Sequence, residues 1–458
     1  MIIKNIFKII KSEVIYYRTE FYEEILMDKR TLAEKVKTGV GKLKKTGFGH
    51  LFGSSVICKV LSFMSNVILI RIISKTDYGI YANADNLLGL FCIFEGFGMA
   101  STFLQFGSTS EGEKKKAIWS FCFYFALGVQ IILAIVIIGV SSSVKFSIPG
   151  TEVLLMLMAF LPIVRTIRDM QQIYLRTEFR NKEFAKSNTL STVVTVLFAC
   201  TFSLVFKTKG MILSSYLSGI VSIFYLMIKC NVAFPKIRNN LKIKDKWKLI
   251  KFAAVCVINN STASIMYLLD TFVLGIVIAS GDVTASYKVA SKIPNALAFI
   301  PSCVMTYIYP YFAKHKDEKE WCIKNYMIVV VTFGVFNLCL SGMLIIFAPQ
   351  IIDIIFGKVY LDAVIPFQLL CLNYFVYASF GTLSGQLLVS QEKLGFNTFT
   401  GIISSITNTA LNLILIPKYS SVGAAVATVS VTIITSSLST IFLVITLKKK
   451  NNNNYGVC

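Results

Sequence analysis

Twelve apolar runs follow one another along this chain, and nothing between them is large enough to fold as a soluble domain. A hydrocarbon core about 30 Å thick takes about 20 residues of helix. Backbone inside it must satisfy its own polar groups, so such runs fold as helices. The predicted spans are roughly 50–72, 79–103, 117–140, 151–171, 185–206, 210–230, 250–278, 285–311, 325–347, 364–388, 397–417 and 422–446. Of the 46 lysines and arginines, 36 lie in the N-terminus, alternate loops and the C-terminal tail, 7 in the other connections and 3 inside runs. Loops that stay in the cytoplasm keep Lys and Arg, so this alternation predicts a polytopic all-α membrane protein with both ends cytoplasmic.

The formal charge of +22 would point to nucleic acid in a soluble protein, but 55% of residues are hydrophobic and the mean hydropathy is +0.67. Membrane topology accounts for the charge, and no nucleic-acid partner is expected. Eleven cysteines are scattered without a CxxC pair, and only His50 and His315 are present, so neither a metal site nor a cofactor is expected. No GxxxxGK[ST] phosphate loop occurs. With no room for a catalytic module, the chain reads as a gradient-driven transporter and not as an enzyme.

Residues 1–49 carry 11 basic and 6 acidic residues, with no visible cleavable signal peptide. Ile2, Ile3, Ile6, Phe7, Ile9 and Ile10, interrupted by Lys4, Lys8 and Lys11, suit an amphipathic helix on the membrane surface. The competing reading is a start at Met27, which leads directly into the first span.

The chain repeats itself. Asp77 and Asp282 are 205 apart, Tyr81 and Tyr287 206 apart, and Leu175 with Leu388 and Gly210 with Gly423 each 213 apart. Six spans per half is an even number, so the halves enter the membrane in the same sense, as parallel repeats with a site expected between them near the midplane. The expected layout is an N-terminal extension (1–49), an N-lobe (50–230), a basic linker (231–249), a C-lobe (250–446) and a tail (447–458).

Four segments carry a family likeness: RIISKTDYGIYANADNLL after the first span, ASYKVASKIPNALAFIPSCVMTYIYPYFA along the eighth, IIDIIFGKVYLDAV before the tenth and ALNLILIPKYSSVGAAVATVSV across the last two. Together they resemble the bacterial polysaccharide (O-antigen type) flippases of the multidrug/oligosaccharidyl-lipid/polysaccharide exporter superfamily, over roughly residues 45–447. The resemblance implies twelve helices in two lobes around a cavity in the bacterial inner membrane. It also implies transfer of an undecaprenyl-diphosphate-linked oligosaccharide to the outer leaflet. H+ or Na+ as coupling ion, and a polysaccharide polymerase or glycosyltransferases, are further expected partners. Ser420 and Ser421 stand where the family often has glycine.

An ionisable side chain within a span costs at least about 2.5–3.5 kcal/mol, so it faces a wet cavity or a partner. Lys59, Lys288 and Lys292 are candidate ligands for the diphosphate. The last two are four apart and share a helix face, the competing reading being that they snorkel to headgroups. Asp85, Glu95 and Asp270 are ion-coupling candidates, or else partners that neutralise the lysines. Arg165 and Arg168 are expected at the cytoplasmic mouth of the fourth span, Arg165 pairing with Asp169, where they either attract the headgroup or anchor the helix. Asn259 and Asn260 in the seventh span, and Asn408 and Asn412 in the eleventh, either bind glycan or pack helices. Pro294, Pro301 and Pro310 mark possible kinks in the eighth span. A glycan polymerase, a structural scaffold and a multidrug exporter of the same superfamily are the alternatives. The short outer loops argue against the first and the buried charges against the second, while basic charge in the cavity disfavours a drug exporter for cations.

Overall fold

The computed structural model describes residues 48–237, 241–391 and 393–448. The expected amphipathic segment and most of the tail lie outside the described residues. Within them the chain is helix and connecting turn, with no strand.

The first crossing is α1 (Phe48–Ile72); the second is α2 (Lys75–Phe91), a 3-10 stretch at Cys92–Gly98 and α3 (Met99–Ser108). The third is α4 (Gly112–Ser143), and the fourth joins α5 (Thr151–Met158) to α6 (Leu161–Thr177). The fifth and sixth form one folded-back element, α7 (Asn181–Ile228). The seventh is α8 (Ile243–Val277), and the eighth joins α9 (Gly281–Leu297) to α10 (Phe299–Lys314). The ninth is α11 (Lys319–Ile346), followed by a short α12 (Ala348–Ile355). The tenth comprises α13 (Val364–Val376), a π turn at Tyr377–Gly381 and α14 (Thr382–Ser390); the last two form α15 (Leu394–Lys448).

Six stretches are long and apolar enough to cross a membrane by length and composition alone, and two of these, Asn181–Ile228 and Gly395–Leu447, run to 48 and 53 residues. At 1.5 Å per residue each would overshoot the bilayer about twofold as a straight rod, and each is instead a hairpin. Lys207 (φ 49°, ψ −126°) breaks the first and Ser420 (φ 54°, ψ −132°) the second. Gly210 then lies so close to Phe202 that a Cβ would sit 2.4 Å from its carbonyl oxygen, and Gly423 so close to Leu415 that the distance would be 2.3 Å. No other residue permits that approach.

These two turns are 213 residues apart, and other turns repeat at the same interval. Arg180 N donates to Leu175 O at 2.9 Å and Lys393 N to Leu388 O at 2.8 Å. Helices α2 and α9 both begin on a serine, Ser74 and Ser280, whose hydroxyl accepts the N–H three residues on. The offsets read along the sequence thus reappear as matching local geometry. The expected linker differs in form, since α8 begins at Ile243 and carries Lys244, Lys246 and Lys248 on its first turns. In the eighth crossing the helix is interrupted at Ala298, one turn after Pro294, where the ring removes a backbone donor.

The two halves meet where α2 lies against α8 and α9. Glycine makes that approach possible: a Cβ at Gly79 would fall 1.9 Å from the Gly281 carbonyl oxygen, and one at Gly275 would fall 2.5 Å from Asn83 Oδ1. Gly79→Val is expected to force the halves apart and cost about 1–3 kcal/mol or more, read as a lower melting temperature of the detergent-solubilised protein. Gly139, with open space around its Cβ position, serves as the control.

Candidate functional site

The end that carries the basic connections of the described residues, among them Lys114 to Lys116, Arg176 to Lys186 and Lys242 to Lys251, is called the basic side here, and its opposite the charge-poor side. At the charge-poor end the halves are tied together. Arg71 donates to the carbonyl oxygens of Ile355 (2.8 Å) and Ile354. Lys75 pairs with Asp362 at 2.8 Å and donates to Val359 O at 3.0 Å. Thr76 Oγ1 donates to Asp282 Oδ1 at 2.7 Å. Thr76 adjoins Asp77, which the repeat aligns with Asp282, so the matching starts of α2 and α9 lie against each other.

One turn and more below these contacts lie Lys288 and Lys292, half-buried on one face of α9. Lys288 Nζ donates to Asn86 Oδ1 and Lys292 Nζ to Asn66 Oδ1, each at 3.1 Å and each across the two halves. The Asn86 amide nitrogen donates to Leu268 O at 2.9 Å, which fixes its oxygen toward the lysine. Asn66 is fixed likewise by Ser62 O at 2.8 Å. Neither lysine forms an ion pair with a carboxylate among the described residues; the strongest charge acting on Lys288 is that of exposed Asp85.

Lys59 is exposed and stands over the Phe299 ring at 5.2 Å, a cation–π contact between the halves. Lys59, Phe63 and Asn66 follow helical spacing on one stripe of α1, and Phe299 follows Lys292 by two turns on the opposing crossing. The three lysines therefore mark one seam between the halves, with Lys59 nearest the basic side.

Arg165 and Arg168 require a correction. The helix continues past the expected end of the fourth span to Thr177, so Arg165 lies about midway along the crossing and not at its mouth. Its expected pairing with Asp169 does not form, because Asp169 is taken by neighbouring Arg168 at 2.7 Å. Arg165 instead lies within the field of Asp85 and Glu95, the two strongest charges acting on it.

Glu95 occupies a break in the second crossing. Its backbone is extended (φ −57°, ψ 124°), and Gly96, Phe97 and Gly98 after it all have positive φ. The Oε1 atom is buried without a hydrogen-bond partner. Asp270 is 4% exposed and enclosed by neutral donors. Its Oδ2 accepts the hydroxyls of Tyr287 at 2.7 Å and Thr428 at 2.5 Å, and its Oδ1 accepts Asn412 Nδ2 at 2.7 Å. Asn412 Nδ2 also reaches Asn408 Oδ1 at 2.9 Å. Asp270 is thus no ion-pair partner of a lysine but the centre of a cage within the C-terminal half. At the repeat offsets of 205 and 206 its counterparts are Ser65 and Met64, and that of Asn412 is Ala199, so no second carboxylate stands at the matching place in the other half. Asn259 and Asn260 lie on α8, but their side chains fall outside the described residues.

The chain matches the family described as polysaccharide biosynthesis protein over residues 68–365. The chain belongs to the polysaccharide biosynthesis protein family. The matched region holds Asp85, Glu95, Arg165, Asp270, Lys288 and Lys292, while Lys59, Asn66, Asn412 and Thr428 lie outside it. No functionally curated protein matches the chain. Among solved structures it is similar to a lipid II flippase, MurJ, in an inward closed conformation, at TM-score 0.70 and 16% identity, covering 86% of this chain and 87% of that one. It is equally similar to an inward-facing multidrug resistance MATE transporter of the MOP superfamily, at TM-score 0.70 and 12% identity, over 86% and 96%. The chain is also similar to a MOP superfamily transporter from Pyrococcus furiosus, described as having a binding pocket of reverse polarity, at TM-score 0.54 and 13% identity, over 88% and 94%. At these identities the likeness shows the fold: this family member is a multi-pass membrane protein with the two-lobed transporter architecture.

Proposed function

We propose that the protein moves undecaprenyl-diphosphate-linked oligosaccharide repeat units from the cytoplasmic to the outer leaflet of the bacterial inner membrane for surface polysaccharide synthesis. The observation that carries this reading is the pair Lys288 and Lys292: two half-buried ammoniums one turn apart in the seam between the halves, with amide oxygens and no carboxylate as partners among the described residues. Like charges at that spacing repel. A diphosphate neutralises both, and Lys binds phosphate as a compact charge. Lys59 extends the basic lining toward the entry side, and Arg165 adds a guanidinium at mid-depth beside Asp85.

On this reading the basic side is the cytoplasm, both termini lie there, and the lobes span 50–230 and 250–446 joined by the basic segment 231–249. The ties of Arg71, Lys75 and Thr76 close the outer end, leaving the cleft to be loaded from the cytoplasm. Transport then needs rocking of the lobes and no covalent step, which makes the protein a transporter and not an enzyme. The Asp270 cage supplies the coupling site, taking H+ or Na+. Its oxygen-rich surround and the unpartnered Asn412 Oδ1 suit a small cation in place of a bulky one. A polysaccharide polymerase and glycosyltransferases are the expected protein partners, the first consuming and the second supplying the lipid-linked units. Glu95 remains a second candidate for the ion.

The test is deletion of the gene. Lipid-linked repeat units are expected to accumulate on the cytoplasmic leaflet with loss of surface polysaccharide; unchanged polysaccharide without accumulation would contradict the reading. The similarity to a multidrug transporter favours one other reading, drug export, which predicts instead that the deletion sensitises cells to cationic drugs.

A further inference from the structure

Asn66 and Asn86 come from different helices of one half, yet each holds one lysine of the same pair on α9 of the other. Asn86 is buried, and its amide spans two elements, since its nitrogen binds Leu268 O on α8 while its oxygen binds Lys288 on α9. An amide oxygen is a neutral acceptor, and an ammonium bound to it keeps its full charge. A phosphate oxygen carries negative charge, so it adds an ion-pair attraction to the ammonium that the neutral amide oxygen lacks. Two amide oxygens thus stand where the oxygens of a diphosphate would bind, and they also bridge the lobes.

We propose that Asn66 and Asn86 form a substrate-released latch: they hold Lys288 and Lys292 across the lobes until an anionic headgroup takes the ammoniums, and only then do the lobes part at the outer end. This rests on the diphosphate reading above. It makes opening conditional on cargo, because an unloaded cleft keeps both bridges. It also explains why the lysines are held by asparagine and not by carboxylate. Aspartate at either position would compete with phosphate for the same charge and keep the lobes closed.

Substitutions in opposite directions test this. The full-length protein is placed in nanodiscs with spin labels carried by unnatural amino acids at Lys145 and Val359, exposed positions on the charge-poor side of each half, and the label separation is measured by double electron–electron resonance. Wild type is expected to show a short separation that lengthens when undecaprenyl diphosphate is added. The Asn66→Leu/Asn86→Leu protein should show the longer separation without any addition. The Asn66→Asp/Asn86→Asp protein should stay short with undecaprenyl diphosphate present and transport about tenfold more slowly or worse. Leucine and aspartate variants that both behave as wild type would overturn the latch. Opening of the leucine variant together with a wild type indifferent to undecaprenyl diphosphate would retain the latch and overturn diphosphate as its trigger, and with it the substrate proposed above. The opposed signs separate the latch from simple misfolding, which would move both variants the same way.

Discussion

Lys288→Ala combined with Lys292→Ala is expected to abolish export while leaving a folded protein in the membrane. Charge-assisted hydrogen bonds contribute about 1.5–3 kcal/mol each, so losing two from the bound diphosphate lowers transport about a hundredfold or more at 1.4 kcal/mol per factor of ten. The cost to the folded state is limited to the acceptors left on Asn66 and Asn86, because removing the pair also removes its mutual repulsion. Export is measured as surface polysaccharide at matched protein level. The single variants separate two roles: a headgroup ligand costs about tenfold or more, whereas a lysine that merely snorkels to lipid tolerates alanine. Replacement of both by arginine, which keeps charge but presents a planar fork, is expected to restore part of the activity.

The second large effect is expected at Asp270. Asp270→Ala removes the common acceptor of Tyr287, Asn412 and Thr428; Asn412 keeps Asn408 Oδ1 and Thr428 keeps Ala424 O, so the buried Tyr287 hydroxyl is the donor left unsatisfied, at about 1–3 kcal/mol. A lower melting temperature in detergent is the expected readout. Asp270→Asn is the more informative change, since it keeps the volume while removing the charge a bound cation requires. It should leave headgroup binding by the lysines intact and abolish the dependence of transport on the H+ or Na+ gradient. Transport by Asp270→Asn that responds to the gradient as wild type does would remove Asp270 from the coupling role and direct attention to Glu95.

The architecture was legible in the sequence because apolar run length and Lys/Arg placement are properties of the solvent the chain must cross, independent of tertiary detail. The repeat was legible because turns demand particular residues, as at Gly210 and Gly423, which alone permit the hairpin closures after Lys207 and Ser420. The shared face of Lys288 and Lys292 followed from helical spacing, and all three lysines singled out make contacts from one half to the other. What stayed hidden depended on contacts distant in sequence. Asn66 and Asn86 reach their lysines over 226 and 202 residues, and Asn412 and Thr428 reach Asp270 over 142 and 158. An asparagine in an apolar run looks the same whether it packs a helix or holds a lysine. Arg165 was misplaced for a local reason: the polar stretch Arg165 to Gln172 ends the hydropathy signal well before the helix itself ends at Thr177. A signal did exist at Glu95, where Gly96 and Gly98 flank Phe97 and mark the break in the second crossing.

The most direct measurement reconstitutes the purified protein in liposomes with a fluorescent undecaprenyl-diphosphate oligosaccharide in one leaflet and follows its arrival in the other by accessibility to a membrane-impermeant quencher. The account predicts protein-dependent transfer that is lost in the Lys288→Ala/Lys292→Ala protein and competed by unlabelled undecaprenyl diphosphate. Transfer no faster than in empty liposomes, or equal in the double variant, would contradict it.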